Sequence, residues 1–234
     1  MSLMTDSAFY ILHSRPYQET SVILDAFTWK TGRLSILAKG AKRRSRQWQA
    51  CLHPFILLQG QWQGRSDLQT LTEVSIVQQH RLQGRSMLMG FYVNELMVRL
   101  LQKHAPCPEV FERYHWLLQE TITEARLRYF EKDLLDLLGY GFSCQYEAET
   151  GELIQPGQSY YFQLERGFVY PSYSKTHDIL VEGDTIEALD RRSLASKQQQ
   201  RQAKYVLRHA LKPLLGSRPL HSRQLFYNFI SKSD

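Results

Sequence analysis

The hydrophobic pattern of this chain changes from strand-like to helical near residue 85, and that change limits the fold more than any other feature. Up to about Gln79, short apolar or alternating runs stand between Gly, Pro and charged turns, as β-strands do. The runs cover residues 8–13, 20–28, 33–38, 55–62 and 67–77, with Thr31 and Gly32 separating the second from the third as a hairpin turn would. Five strands in about 80 residues suit a small Greek-key barrel. The pattern favours the OB type, and SH3-like barrels of similar strand count stay open.

From Ser86 the period is helical. Leu88, Tyr92, Leu96 and Leu100 stand four apart, with Met89, Val93 and Met97 beside them. A second helical region spans residues 110–138, broken near 121–124 where β-branched residues gather, and Leu127, Phe130, Leu134 and Leu138 form its later stripe before a Gly139 C-cap. Residues 160–173 (YYFQLERGFVYPSY) read as a β-hairpin turning at Arg166 and Gly167, inserted at about 158–174. Helices over 196–215, ended by Gly216, and over 222–230 each begin with serine, a favoured N-cap. The expected class is α+β, an OB-type barrel domain at 1–79 followed by a mainly helical domain at 80–234 with the hairpin insertion.

Charge is local. Between Asp25 and Asp67 there is no acidic residue, yet Lys30, Arg33, Lys39, Lys42, Arg43, Arg44, Arg46 and Arg65 fall there, eight cations in a chain whose net charge is +6. The rest is therefore slightly acidic, and a sequence pI of about 9.2 reports one basic segment more than a basic protein. Residues 39–46 (KGAKRRSR) follow one strand and precede another, so an exposed barrel connection carries them. There they can hold phosphates without reading sequence. Arg33 joins them as a candidate DNA contact, and Trp29 and Trp48 offer stacking platforms unless they belong to the core.

Two further constellations stand out. Lys197, Arg201, Lys204, Arg208 and Lys212 fall on one face of the last long helix, opposite Ala203, Val206, Leu207, Ala210 and Leu214. That face can track a phosphate backbone or be an ordinary solvated surface. Arg126, Arg128 and Lys132 flank Leu127, Phe130 and Leu134, an arrangement that can border a groove for an acidic peptide or simply line a core helix.

Signs of catalysis are missing. There is no phosphate-binding loop, zinc-protease motif, nucleophile elbow or dinucleotide fingerprint, and the histidines are dispersed. Glu182, Asp184, Glu187 and Asp190 form the densest carboxylate group, which a metal nuclease can use but which better fits a helix N-terminus around Asp184. Cys51, Cys107 and Cys144 lie far apart and are odd in number, which fits a reducing cytoplasm and no disulfide framework. With no charged, apolar leader and no apolar stretch near the roughly 20 residues of a membrane span, a soluble protein without cofactor is expected.

Four stretches carry a family resemblance: AFYILHSRPYQETSVILDAFTWKTGRLSILAKGAKR, FYVNELMVRLL, LRYFEKDLLDLLGYG and ALKPLLGSRPLHSRQLF. In this order, across nearly the whole chain, they resemble the RecO family of bacterial recombination mediators. The resemblance implies an N-terminal OB-fold and a helical domain, binding of single- and double-stranded DNA, and ATP-independent annealing of complementary strands. It also implies work with RecR to exchange single-stranded DNA-binding protein for RecA at gaps, in the bacterial cytoplasm at the nucleoid. By position, Lys39, Lys42, Arg43 and Arg44 match the family's basic barrel loop. Arg128 matches a position tied to the acidic, phenylalanine-ended tail of the single-stranded DNA-binding protein, with Leu127, Phe130 and Leu134 as candidate groove walls. Many members carry a four-cysteine zinc site where this chain has only Cys144, so no structural zinc is expected, and aromatic packing of the hairpin should hold that region instead.

Overall fold

The computed structural model describes residues 4–64, 67–174 and 178–230. They form two compact units, one running to Ile122 and resuming at Ser217, the other spanning Thr123–Gly216.

The first unit is built on a closed barrel of β1 (Met4–Tyr17), β2 (Ser21–Thr28), β3 (Gly32–Ala38), β4 (Ile56–Gln63) and β5 (Leu68–Gln79), in the order β1-β2-β3-β5-β4. β3 pairs with β5 in parallel and β1 closes on β4, the topology of an OB-fold. Alternation sends Phe9, Leu24, Ile36 and Trp62 inward, with the Phe9 and Trp62 rings edge to face at 5.6 Å. Gly32 turns β2 into β3 at φ 74°, and any Cβ there would collide with the Ala105 carbonyl, so both conformation and space demand glycine.

β1 and β2 are also buried on their outer face, which is why AFYIL and ILDAF read as continuous rather than alternating apolar runs. Tyr10 and Phe27 point outward and stack on Phe111 at 5.4 and 5.5 Å. Phe111 belongs to α3 (Pro108–Leu118), which follows α2 (Gly84–Leu100). Asn94 of α2 donates to the Leu12 carbonyl at 3.0 Å and accepts from the Tyr114 hydroxyl at 2.6 Å, joining strand and both helices through one buried amide. The Tyr10 hydroxyl lies 2.9 Å from His80 Nε2 and 2.6 Å from His115 Nδ1. The change of period at residue 85 thus separates barrel from helices in sequence, while α2 and α3 pack into the barrel's own unit.

The last helix of this unit, α7 (His221–Ile230), corrects its expected serine cap. The Glu95 carboxylate of α2 accepts from the amides of His221 and Ser222 at 2.9 and 2.8 Å and from Ser222 Oγ at 2.7 Å. Ser222 is a donor to a distant carboxylate, which satisfies the helix start from outside.

In the second unit, α4 (Glu124–Leu137) starts on Thr123, whose Oγ1 accepts from the Arg126 amide. It ends with the Gly139 amide on Asp136 and the Tyr140 amide on Leu135, with Gly139 at φ 81°, a Schellman cap. The expected hairpin is β6 (Ser159–Gln163) and β7 (Gly167–Val169), turning over residues 164–166; a third strand, β8 (Ile179–Glu182), pairs with β6 and was not read. Phe162 packs on Phe142 and Phe168 at 4.7 and 5.3 Å, the aromatic contact expected of this region. α5 (Gly183–Asp190) and α6 (Lys197–Leu215) complete the unit, α6 opening on a full Ser196 and Gln199 capping box. Among the described residues no helix is long and apolar enough to cross a membrane.

Candidate nucleic-acid interface

Residues 39–46 lie in the connection from β3 to β4, which is not a plain loop. It holds a 3-10 turn at Ala41–Arg43 and a short helix, α1 (Arg46–Ala50). Its backbone is pinned on both sides. The Lys42 amide donates to the Thr20 carbonyl at 2.9 Å and the Gly40 amide to Ser21 Oγ at 3.1 Å, so the connection is docked on the tip of the β1–β2 hairpin. From α1, Gln49 Nε2 donates to the carbonyls of Lys42 and Arg44 at 3.2 and 2.9 Å, while the Ala41 side chain is buried in the barrel. None of these anchors carries a signal that composition or periodicity reveals.

From this fixed backbone Lys39, Lys42, Arg43, Arg44 and Arg46 are all exposed. Lys42 Nζ reaches the Glu19 carbonyl at 3.1 Å, and the Arg44 guanidinium lies 5.1 Å from the centre of the Trp48 ring. Cations held this way suit phosphate oxygens: the charge is in water, and little backbone order remains to be lost on binding.

Arg33 leaves the candidate set. Its Nε donates to the Leu101 carbonyl at 3.1 Å, its guanidinium stands 3.7 Å from Asp25, and only 13% of its side chain is exposed. Burial lowers its pKa and Asp25 pulls it back up, so the residue is a structural tie. Arg65 lies outside the described residues. The two tryptophans also part company: Trp48 is half-buried against the barrel core, whereas Trp29 sits in the β2–β3 turn with its ring on Phe111. That turn is at the other end of β2, roughly 23 Å from the basic connection.

On α6, Lys197, Arg201, Arg208 and Lys212 are exposed, and Lys204 is half-buried 4.0 Å from Glu124. Ala203, Val206, Leu207 and Ala210 face inward as expected; Leu211 takes the buried place assigned to Leu214, which is half-buried. Arg201 lies over the Tyr205 ring and hydrogen-bonds its hydroxyl, holding that phenol below its usual range.

The groove reading of α4 does not survive. Arg128 is 3% exposed, with its guanidinium 2.5 Å from Glu131, itself fully buried, and 3.7 Å from Glu124. Leu127, Phe130 and Leu134 are core residues, all nearly inaccessible. Lys132 is committed to both oxygens of Asp136 at 2.6 Å and lies over Phe142, and Arg126 is half-buried. Glutamates three residues after and four before Arg128 were the available signal, since those spacings share its helix face.

The residues around Cys144 do not fit a zinc site. Cys144 is buried, and loss of solvation, with Asp190 and Asp136 adding to it against Lys132, pushes its thiol up to about 12. The neighbouring turn is organised by a carboxylate instead: Glu147, 1% exposed, accepts from the amides of Glu149, Thr150 and Tyr170 and from Thr150 Oγ1. Among the described residues no three His, Cys, Asp or Glu side chains gather as metal ligands would; Asp184 spends its carboxylate on the Gly157 amide at 2.9 Å.

Comparison with known proteins covers most of the chain. Residues 1–80 match the family model described as Recombination protein O N terminal, and residues 81–224 that described as Recombination protein O C terminal. The chain is 38% identical to the DNA repair protein RecO of Methylococcus capsulatus, over 93% of this chain and 90% of that one. It is 40% identical to the protein of the same name from Idiomarina loihiensis, over 92% and 95%, and 41% identical to that of Nitrosococcus oceani, over 92% and 90%.

Proposed function

The chain belongs to the RecO family and so has a role in DNA repair and recombination; from that premise we propose that it is a non-catalytic recombination mediator. It binds single- and double-stranded DNA through the pinned cations at Lys39, Lys42, Arg43, Arg44 and Arg46, and anneals complementary strands. With RecR it helps RecA replace single-stranded DNA-binding protein at gaps, in the bacterial cytoplasm. The exposed stripe Lys197, Arg201, Arg208 and Lys212 is a second backbone contact in the other unit.

The observation that carries this reading is the ordered display of five exposed cations on a barrel connection whose backbone is already hydrogen-bonded. Annealing needs backbone charge screened while base edges stay free to pair, and phosphate-directed cations do that without occupying the bases. A reading in which the tail of the single-stranded DNA-binding protein is the principal ligand loses its anchor, because Arg128 is sealed against Glu131.

The test is annealing of complementary oligonucleotides followed by fluorescence, without nucleotide or magnesium. Annealing should proceed without ATP and weaken steeply as salt rises. A requirement for ATP, or strand cleavage on adding magnesium, would contradict the proposal.

A further inference from the structure

The turn over residues 145–154 presents two large apolar side chains to solvent. Tyr146 and Leu153 form an antiparallel bridge, with the Glu147 amide on the Glu152 carbonyl at 2.8 Å and the Ile154 amide on the Gln145 carbonyl at 2.9 Å. Those two bonds flank the bridge, so Tyr146 and Leu153 are a non-hydrogen-bonded pair, the kind whose side chains stand closest on one face. Tyr146 is 49% exposed and Leu153 56%.

This pair is not what holds the turn. The buried Glu147 carboxylate does so, through the amides of Glu149, Thr150 and Tyr170 and the Thr150 hydroxyl, together with the Ala148 amide on the Phe168 carbonyl at 2.8 Å. Ser143 Oγ accepts from the Gln145 and Tyr146 amides at 3.1 and 3.0 Å. An apolar pair kept in water on a backbone already ordered loses little further freedom when a partner covers it. Tyrosine is also among the residues enriched where proteins meet.

Charge indicates what covers it. Glu149 and Glu152 are exposed in the same turn; Glu149 pairs with Arg166, and Glu152 accepts from the Tyr170 hydroxyl at 2.9 Å. Gln145 Nε2 reaches the exposed Asp190 at 3.4 Å, which brings a third carboxylate beside the turn. From Asp133 to Asp190 the chain holds eleven carboxylates against two cations, Arg166 and Lys175. Such a surface repels phosphate, so a nucleic acid does not fit it and a cationic polypeptide does.

We infer that the face carrying Tyr146 and Leu153 is a docking surface for a basic polypeptide segment. One apolar side chain of that segment sits on the pair, and lysines or arginines flanking it meet Glu149 and Glu152. The inference does not rest on the DNA contact proposed for the barrel connection.

The experiment titrates the full chain with three short fluorescein-labelled peptides: lysines and arginines around a central leucine, the same peptide with serine for leucine, and glutamates around the leucine. The basic leucine peptide should bind, and more weakly as salt rises, while the glutamate peptide should not. Serine in place of the peptide's leucine, Tyr146→Ser/Leu153→Ser and Glu149→Gln/Glu152→Gln should each cost about 5- to 10-fold in affinity. The serine peptide should bind Tyr146→Ser/Leu153→Ser no worse than it binds the parent, since both changes remove one contact. Oligothymidylate affinity should equal the parent's in both variants; a matching drop would put the turn on the DNA path and overturn the assignment. Failure of the basic leucine peptide to bind, or equal binding by Tyr146→Ser/Leu153→Ser, overturns the docking surface whatever the result with DNA. A dimer seen by sedimentation and abolished in that variant, without peptide binding, assigns the face to a second copy and also overturns it. Should the serine variant melt below the parent, the parent alone decides: it must prefer the leucine peptide to the serine peptide by the same factor, and equal affinities overturn the inference.

Discussion

Arg128 shows how one side chain changes meaning between sequence and fold. On a helix surface it would be a receptor for an acidic peptide, but here it is buried with Glu131 three residues on and Glu124 four residues back. Burying a guanidinium costs solvation that only its partners return, so removing either member leaves a charge in the interior. Glu131→Gln should destabilise the protein by about 3–5 kcal/mol in urea unfolding, whereas the paired replacement Arg128→Met/Glu131→Leu should recover most of that loss. A loss of peptide binding on mutating Arg128 alone would therefore report unfolding unless stability is measured beside it.

The Tyr10, His80 and His115 cluster makes a second prediction at this scale. Burial holds both imidazoles below their usual range, and for His80 the neighbouring His115 adds to this while a hydrogen bond with the Leu118 backbone opposes it. The folded protein resists protons that the unfolded chain takes up near the ordinary value of 6.5. Stability from this cluster is thus complete above that value and is lost as pH falls through and below it. Thermal melting between about pH 7.5 and 5.5 should show that decline, and His80→Gln should shrink it. A decline of the same size in the variant would show that other groups carry it.

Among elements, the connection from β3 to β4 matters most. Its eight-residue basic run was legible because charge needs no tertiary context, and the strands were legible because the alternation of β4 records one buried face and the continuous apolar run of β2 records two. α1 was not legible: five residues between a turn and a strand carry no helical period, and it exists through the Ser45 cap and Gln49's bonds to the loop carbonyls. β8 was missed for a related reason, since a four-residue strand at a sheet edge is fixed by its partner β6 more than by its own pattern. At α4 the sequence leaves groove and core open, because core and groove residues share one spacing; burial of Leu127, Phe130 and Leu134 assigns them to the core. α6, in contrast, declared its start. Ser196→Ala should cost about 1 kcal/mol by removing the capping box, measured as a shift in the urea midpoint.

At the scale of the molecule, two units each offer an exposed set of cations, while several carboxylates are drawn into structural tasks. Glu95 caps α7, Glu147 organises the turn beside Cys144, and Asp184 holds Gly157. A chain of net charge +6 can thus present strongly positive patches without being strongly basic overall. Affinity should come from released counterions, which makes salt the direct probe. The deciding measurement is the salt dependence of single-strand affinity for the parent and for Lys42→Ala/Arg43→Ala/Arg44→Ala. Loss of three phosphate contacts should lower the logarithmic slope by about 2 and weaken binding at every salt concentration. An unchanged slope with unchanged affinity would show that the strand does not run along this connection.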